Sequence, residues 1–314
     1  MDIFKSKIVK PMLIGMEGEP FDNKSYIFEL KLDGERCIAY LDENGTELRN
    51  KRNMKMLRKV PELSQIHKQV KCRCILDGEL IIIKDGVPDF SEIKKRSLMS
   101  NTFKIEMESK KLPATFTAYD IIYYKDKQVT NMPLMDRKLL LGKIAKESER
   151  LAISRYIEEK GIALFDLAKQ KELEGIVAKL KDSKYYLDKR TKDWIKIKYL
   201  KDDDFVICGY IEKSDYIVSL ILGQYSKEEL IDKGHVTLGV SKESFSKIAS
   251  HKKTSNPPFT EQAAQSRNKN AVWLSPDLVC TVKYMEKTSS GSLRQPVFKG
   301  LREDKQAKEC ISCM

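Results

Sequence analysis

Short segments in which apolar and polar residues alternate, punctuated by glycine turns, recur along most of the chain. In residues 26–45, YIFELKLDGERCIAYLDENG, this period of two predicts a strand with one buried face, and Asn44–Gly45 supplies the positive φ of a tight hairpin turn. Lys31 would then lie between two acids, Glu29 and Asp33, on the polar face. A solvated cross-strand ion pair is the ordinary explanation of such a face, and a reactive amine is the alternative.

The same patterns extend to about residue 200. Aspartate and glycine at 85–86 mark a second hairpin turn. Strands are predicted at 26–41, 74–83, 115–124, 175–180 and 194–199, and apolar residues at helical spacing predict helices at 136–148 and 153–170. This region is therefore predicted to be an α+β domain with antiparallel sheets.

A domain boundary is predicted near KYLKDDDF, where a run of charged residues precedes a new series of short strands with glycine turns. Such a series suits a small all-β barrel of the OB type. We therefore expect one domain over residues 1–200 and an OB-fold over residues 201–314, with a polar loop at 255–270.

Composition limits the classes of function. The chain has 314 residues, of which 41% are hydrophobic, so it can bury a full core. Lys and Arg outnumber Asp and Glu by 58 to 46, and the net charge of +12 favours polyanionic partners such as nucleic acid, although a merely basic soluble protein has the same balance. No apolar run approaches the length of a membrane span and no signal-peptide core is present, so a cytoplasmic location is expected.

Cysteine usage points to reduced thiols. Seven cysteines form an odd set without the spacing of a disulfide framework. Cys310 and Cys313 form a C-x-x-C motif in a polar tail, but no second ligand pair accompanies it, so a structural zinc site is not expected.

Four further segments carry charged residues in patterns that bear on Lys31. ILDGELIII places Asp77 and Glu79 on one face of an apolar strand, and DWIKIKY projects Lys196 and Lys198 from one face of another. ELEGIVAKL contains Glu174 and Lys179, and FKGLREDK contains Arg302, Asp304 and Lys305. Each segment alone is more often structural, but their joint occurrence in this order is not accidental.

In this order, the segments resemble the motifs of the ATP-dependent DNA ligases, which are covalent nucleotidyltransferases. The nucleophile motif Lys-x-Asp-Gly-x-Arg is present in KLDGER, and the other motifs follow as DGE at 77–79, AYD at 118–120, EGIVAK at 174–179, WIKIK at 194–198 and REDK at 302–305. TSSGSLRQPVFKGLREDK is similar to the end of bacterial end-joining ligase domains. The sequence departs from the family pattern at Tyr119, where phenylalanine is usual, and at Lys51, where serine is usual.

The resemblance implies a fold and a site. The fold would be an ATP-grasp-like adenylyltransferase domain with antiparallel sheets, followed by the OB-fold barrel. Lys31 would be the nucleophile, and Glu174 and Glu79 would hold Mg²⁺ or Mn²⁺. Glu29 would bind ATP at the adenine edge, Tyr119 on the adenine face, and Arg36 and Glu79 at the ribose. Arg52, Lys196 and Lys198 would bind the phosphates, and Arg302 and Lys305 the triphosphate. Lys179 would be a further nucleotide-binding residue. Asp33 would assist the nucleophile or the metal, within the loop containing Gly34.

A lysine suits this chemistry because a phosphoramidate is both formed and broken readily, which divides one difficult step into easier ones. A free lysine amine titrates near ~10.4, so it must be desolvated or placed near other positive charge before it can attack. Lys196 and Lys198 could supply that charge and also hold the α-phosphate.

The substrate implied by the resemblance is nicked duplex DNA, sealed through a lysyl-AMP and a DNA-adenylate by a monomer, with DNA-end-binding or repair proteins as possible helpers. The two domains alone would grip the DNA, with residues 92–104 and 255–270 as candidate contacts.

Three alternatives remain. An RNA ligase or an mRNA capping guanylyltransferase uses the same lysine nucleophile, although EGIVAK and the C-terminal motif favour DNA. An NAD-dependent ligase is disfavoured because only 30 residues precede Lys31 and no four-cysteine zinc module follows. A non-catalytic nucleic-acid-binding module would not need every reactive side chain.

Overall fold

The computed structural model describes residues 2–214, 217–288 and 291–312, so Cys313 of the C-x-x-C motif lies outside the described residues. The chain divides into two units, Met1–Tyr199 and Leu200–Met314.

The first unit contains strands β1 to β12 and helices α1 to α5. The strands are β1 (Leu13–Glu17), β2 (Asn23–Leu30), β3 (Glu35–Asp42), β4 (Gly45–Asn50), β5 (Cys74–Lys84), β6 (Val87–Pro88), β7 (Ala114–Tyr124), β8 (Lys127–Gln128), β9 (Leu151–Ile153), β10 (Tyr156–Glu159), β11 (Gly175–Leu180) and β12 (Arg190–Lys198). The helices are α1 (Ile3–Ser6), α2 (Phe90–Leu98), α3 (Thr102–Lys111), α4 (Leu134–Ile144) and α5 (Gly161–Gln170), with 3₁₀ turns at Pro61–Leu63 and Ile66–Gln69.

These strands form two sheets. One has the order β1-β12-β11-β2-β10, and the other has the order β4-β3-β5-β7-β8, with β6 beside β5 and β9 beside β7. The pairs are antiparallel except β1 with β12 and β7 with β9. The predicted α+β class with antiparallel sheets is therefore confirmed.

One core of the first unit lies between the two sheets. Ile27, Val177 and Trp194 of one sheet share a buried cluster with Ile38 and Ile75 of the other. The outer face of the first sheet packs against α5, and the outer face of the second packs against α2 and α4. Because both faces of each sheet are covered, the central strands are buried on both sides.

This two-sided burial overturns the prediction of one strand over 26–41 with only one buried face. β2 ends at Leu30 and β3 begins at Glu35, and these strands belong to different sheets. Glu29 is only 2% exposed although it alternates with apolar residues. The predicted turn between β3 and β4 is confirmed: Asp42 pairs with Gly45, whose φ is +139°.

The predicted helix over 153–170 is also wrong in its first half. Residues there form β9 and β10, and α5 begins only at Gly161. A Cβ atom at Gly161 would lie 2.2 Å from the carbonyl oxygen of Phe21, so the helix can pack this closely against the β2 region only with glycine at its start. The other predicted helix, 136–148, is present as α4 with both ends shifted towards the N-terminus.

The second unit is a five-stranded antiparallel sheet of described residues, in the order β15-β14-β13-β16-β17. Its strands are β13 (Lys201–Ser214), β14 (Ile217–Ser226), β15 (Glu229–Val236), β16 (Val272–Tyr284) and β17 (Val297–Arg302), and its helices are α6 (Lys242–Ala249) and α7 (Gln262–Arg267), with a 3₁₀ turn at Ala307–Glu309. β15 and β17 are the two edge strands of this sheet. A parallel bridge between Leu238 and Val297 joins the segment after β15 to β17 and so brings these two edges together.

Two sequence interpretations of this unit need correction. The acidic run 202–204 is part of β13 rather than preceding the first strand of the second unit, because each aspartate pairs with a residue of β16. The predicted loop 255–270 contains α7. Across the part of the chain that the structure describes, no helix combines the length and apolar character that crossing a bilayer requires.

Candidate active site

A cavity of about 360 Å³ in the first unit is lined by half of the site residues predicted from the sequence. Its wall includes the predicted residues Glu29, Lys31, Gly34, Arg36, Glu79, Tyr119 and Lys179, together with Lys51, Arg190 and Trp194. The wall therefore combines aromatic surface with cations and carboxylates, which suits a ligand that has both a planar ring and phosphate groups.

Lys31 lies at the end of β2, where the strand leaves its sheet. Its side-chain Nζ is 2.7 Å from Oε2 of Glu174, and the Lys31 side chain is 22% exposed whereas that of Glu174 is 4% exposed. The Lys31 backbone N–H donates to the carbonyl of Gly175 at 2.9 Å, and the Tyr199 N–H donates to the carbonyl of Glu174 at 2.9 Å. The backbone thus fixes the carboxylate beside the amine.

Gly175 is required for this arrangement. Its φ is +133°, and a Cβ atom there would lie 2.1 Å from the carbonyl oxygen of Ile197. Only glycine tolerates both the backbone angle and the approach. Gly175 pairs with Lys198 across the β11–β12 ladder, so the glycine also brings β12 close to Lys31.

Lys196 and Lys198 lie on β12 and share one acidic neighbour. Lys196 Nζ is 2.9 Å from Oε2 of Glu17, and Lys198 Nζ is 3.8 Å from the same oxygen. Burial lowers the pKa of Lys198, an effect opposed by Glu17 and reinforced by the charges of Lys196 and Lys31. Three amines are therefore close enough to interact electrostatically, as a polyphosphate site requires.

Glu29 is the centre of a buried charge cluster. Its Oε1 lies 2.5 Å from Nζ of Lys138 and 3.0 Å from Nζ of Lys179, and its Oε2 accepts a hydrogen bond from Ser154 Oγ at 2.7 Å. Burial raises the pKa of Glu29, but the two lysines and the hydrogen bonds outweigh that effect and lower it. Glu29 is therefore held as a carboxylate at the cavity wall.

Arg36 is oriented by an aspartate on the neighbouring strand. Its Nε and Nη2 donate to Asp77 at 3.0 and 2.6 Å, and the Tyr185 hydroxyl donates to the same carboxylate at 2.6 Å. Glu79 faces Arg36 across the β3–β5 ladder. Burial raises the pKa of Glu79 to about 8, although the charges of Lys31 and Arg36 act in the opposite direction.

Three aromatic and cationic groups form the side of the cavity nearest Glu29. The rings of Tyr119 and Trp194 meet edge to face at 6.3 Å, and Lys179 Nζ lies 4.6 and 4.2 Å from their respective centres. Burial lowers the pKa of Lys179 to about 8, against the opposing charge of Glu29.

Comparison with known proteins decides the family. The sequence matches the family described as the ATP dependent DNA ligase domain over residues 9–198, and the ATP dependent DNA ligase C terminal region over residues 213–305. The first match alone covers more than half of the chain. The protein belongs to the ATP-dependent DNA ligases.

Similar proteins span the length of the ligase chain. It is 29% identical over 296 residues to the SPbeta prophage-derived DNA ligase-like protein LigB of Bacillus subtilis, covering 94% of this chain and 99% of the relative. It is 28% identical over 297 residues to the multifunctional non-homologous end joining protein LigD of Mycolicibacterium smegmatis, covering 92% of this chain but only 37% of that relative.

Structural similarity agrees with the sequence matches. The structure titled mycobacterial DNA ligase D complexed with ATP and MES superimposes with a TM-score of 0.56 and 26% identity, over 97% of this chain and 98% of that chain. The predicted fold class, a nucleotidyltransferase domain followed by an OB-fold, is confirmed.

Not every predicted residue of the ligase lies in the cavity wall. Glu174, Lys196 and Lys198 are beside Lys31 rather than in the wall itself, and Asp33 and Arg52 also lie outside it. The Arg52 side chain is exposed, and the Arg52 backbone N–H donates to Asn50 Oδ1.

Arg302 and Lys305 belong to the second unit, where they share an acceptor. Lys305 Nζ lies 2.8 Å from Oδ2 of Asp204, and Arg302 Nη1 lies 3.3 Å from the same oxygen. Arg302 also makes a two-pronged ion pair with Asp304, with both distances 2.8 Å. The two cations of the last motif are therefore held together by acidic neighbours of their own unit.

Several residues near the ligase cavity were missed by the sequence reasoning. Lys138 and Ser154 reach Glu29 from α4 and from the segment after β9, and Glu17 reaches Lys196 from β1. No local pattern distinguishes these residues from surface charges. Lys51 also lines the cavity. The sequence did indicate this position, because a lysine stands there where the family pattern usually has serine.

Proposed function

We propose that the protein seals 5′-phosphate/3′-hydroxyl nicks in duplex DNA, using ATP and a covalent lysyl-AMP on Lys31. The observation that supports this most is the half-buried Lys31 amine at the cavity wall, next to Glu174 and close to Lys198. Family membership supplies the reaction class, and the residue roles below are the proposal.

In the first step, Lys31 Nζ attacks the α-phosphorus of ATP. A P–N bond forms, the P–O bond to pyrophosphate breaks, and the amine loses a proton. Glu174, which contacts this amine, is placed to accept or relay the proton. Lys196 and Lys198 hold the α-phosphate and offset its negative charge, and Lys179 extends the positive surface along the cavity.

The nucleoside part of ATP occupies the cavity. Glu29 accepts a hydrogen bond from the adenine edge, and Tyr119 stacks on the adenine face. Arg36, already oriented by Asp77, and Glu79 bind the ribose. Arg52 binds a phosphate from its exposed turn, and Asp33, which follows Leu32 in the loop of Gly34, assists Lys31.

In the next two steps, the AMP is transferred and then released. An oxygen of the DNA 5′-phosphate attacks the phosphorus of the lysyl-AMP, so a P–O–P linkage forms, the P–N bond breaks, and Lys31 leaves as an amine after its nitrogen takes up a proton. The 3′-hydroxyl then attacks the 5′-phosphorus, loses its proton, and expels AMP. Arg302 and Lys305 orient the pyrophosphate of ATP and are therefore needed only in the first step.

The residues present fit a divalent cation such as Mg²⁺ or Mn²⁺. Glu174 is one of the groups that raise the pKa of Glu79, so the two carboxylates are near neighbours with mutually unfavourable charge. Among the described residues, no group of three or more His, Cys, Asp or Glu side chains could hold a metal alone. Mg²⁺ commonly takes one or two carboxylates together with substrate phosphates, and its role when bound would be to neutralise phosphate charge.

Nicked duplex DNA is the proposed partner of a monomeric, cytoplasmic enzyme, with repair or DNA-end-binding proteins as candidate helpers. The chain spans 37% of the length of the LigD relative, so the end-joining role printed in that relative's name is a proposal for this chain. Residues 92–104 and 255–270 are the candidate DNA contacts.

The test is a sealing assay on 5′-labelled nicked duplexes with ATP, GTP or NAD⁺. We expect joined product with ATP on nicked DNA, and none when the nick has a 5′-hydroxyl. Product only on nicked RNA would favour the RNA ligase alternative, and a covalent GMP adduct without joining would favour the capping enzyme.

A further inference from the structure

One buried charge in the first unit has no role in the steps above. Lys138 lies on α4, directly after Arg137, and its side chain is 3% exposed. Burying an ammonium is costly unless it is paired. Its Nζ is 2.5 Å from Oε1 of Glu29, the carboxylate at the cavity wall.

Lys138 is held in this position by a rigid neighbour. Arg137 donates to both oxygens of Asp120 at 2.8 Å, and all of these side-chain atoms are fully buried. Arg137 also donates to the carbonyl of Ser183 at 2.9 Å. The start of α4 is therefore fixed against β7, and the next residue along the helix points its amine at Glu29.

The two lysines on Glu29 are not equivalent. Lys179 lines the cavity and lies beside the rings of Tyr119 and Trp194, where a bound nucleotide would contact it. Among the described residues, Lys138 is not part of the cavity wall, although it contacts Glu29, which is. Lys138 therefore acts on a ligand only through the carboxylate.

The contacts of Glu29 limit what the carboxylate can recognise. A carboxylate can only accept hydrogen bonds. Ser154 donates to Oε2 of Glu29, and the ammonium groups of Lys138 and Lys179 form ion pairs with Oε1. Because Glu29 also lines the cavity, a ligand there meets its carboxylate as an acceptor. The exocyclic amine of adenine donates to such a group, whereas guanine presents its O6 acceptor at the same place.

We infer that Lys138 is a positioning residue that fixes the charge and orientation of Glu29 and so makes the site select adenine over guanine nucleotides. This inference rests on the proposed function, which places the adenine base of ATP beside Glu29. It assigns a specificity role to a residue that does not touch the nucleotide.

Binding of α,β-methylene analogues of ATP and GTP tests the inference without requiring Lys31 chemistry. Affinities would be measured by calorimetry for the parent protein, Lys138→Met, Lys138→Arg and Glu29→Gln, and for Lys138→Met combined with Glu29→Gln. Lys143→Met is the matched control, because Lys143 lies on the same helix with an exposed side chain.

We expect Lys138→Met to weaken binding of the ATP analogue about 10-fold or more, since it removes the buried positive charge 2.5 Å from the Glu29 carboxylate, and to reduce the preference over the GTP analogue. Lys138→Arg should retain most of the preference, and Lys143→Met all of it. In the Glu29→Gln background, Lys138→Met should have little further effect, because it acts through Glu29.

An unchanged preference in Lys138→Met, or equal losses with and without Glu29, would overturn the inference. So would a parent protein that binds neither analogue. Failure of the parent to form a lysyl-AMP with ATP, while the analogue preferences follow the expected pattern, would instead count against the proposed function alone.

Discussion

The Lys31 amine and the Glu174 carboxylate lie 2.7 Å apart, although 143 positions separate them along the chain (174 − 31). β2 and β11 are neighbours in one sheet, and the pairing of Leu30 with Ile176 places both side chains at the same end of that ladder. Sheet register, rather than sequence proximity, therefore builds the centre of the site.

The register depends on Gly175, which gives a first prediction. Gly175→Ala adds a methyl group 2.1 Å from the Ile197 carbonyl oxygen at a φ of +133°. We expect a loss of about 2–6 kcal/mol in the free energy of unfolding, the sum of backbone strain and overpacking. Chemical denaturation of the parent protein and of Gly175→Ala would measure this difference in the free energy of unfolding.

Gly45→Ala is the matched control for that variant. Gly45 has a φ of +139°, but nothing lies within 4 Å of its Cβ position. The free energy of unfolding of Gly45→Ala should therefore fall only by the cost of the backbone angle, about 1 kcal/mol. Equal losses in the two variants would show that the close approach to Ile197 is not what requires glycine at 175.

A second prediction concerns the buried ion pair beneath α4. Arg137→Met leaves Asp120 charged in a fully buried position. Removal of one partner of such a pair costs about 3–5 kcal/mol. Thermal and chemical unfolding would measure the change, with Arg150→Met as the control, because Arg150 lies 3.9 Å from a 90% exposed Glu149. A loss below about 1 kcal/mol in Arg137→Met would contradict the assigned role.

DNA binding should depend steeply on salt. The net charge of +12 favours release of counterions from the phosphates. We expect log affinity for a nicked duplex to fall by roughly 0.9 per phosphate contact for each log unit of salt. Fluorescence anisotropy across a potassium chloride series gives the slope, and a flat profile would mean that phosphate contacts do not hold the DNA.

Arg302 should be needed for only one step. In the proposed mechanism Arg302 makes two-pronged, charge-assisted bonds to the triphosphate. Arg302→Ala would remove them, and such losses cost about 10²–10³ in rate. We expect slow lysyl-AMP formation but normal sealing of DNA that was adenylylated in advance, with the two steps timed separately.

Lys299→Ala is the control for that experiment, because it removes an exposed cation from the same strand, β17. It should leave both steps near the parent rates. If Arg302→Ala slowed both steps equally, the residue would belong to general DNA binding or to folding of the second unit.

The motifs of the sequence grouped residues of the site more accurately than the local patterns predicted the strands that carry them. Lys31, Glu174, Lys196 and Lys198 were grouped by motif order, and strand pairing does bring them together. The alternation around Glu29 predicted one buried and one polar face, but a period of two also occurs where both faces are buried, and there the polar residue is paired internally.

The support of Glu29 could not have been predicted in the same way. Lys138 resembles any surface lysine in a helix, and its burial depends on how Arg137 anchors α4 to β7. The sequence also could not show that the chain passes from one sheet to the other between β2 and β3, because no local pattern distinguishes a hairpin from a chain that changes sheets. Long-range packing decides both the burial of Lys138 and the change of sheet between β2 and β3.

The most direct test is the location of AMP on the protein. After incubation with ATP and Mg²⁺, peptide mapping by mass spectrometry should place one AMP on Lys31, and the adduct should be absent in Lys31→Ala. Lys181→Ala is the matched control, because that lysine is 20% exposed and lies 2.5 Å from Glu158, and it should be labelled like the parent. AMP on Lys196 or Lys198, or an adduct that persists in Lys31→Ala, would contradict the account.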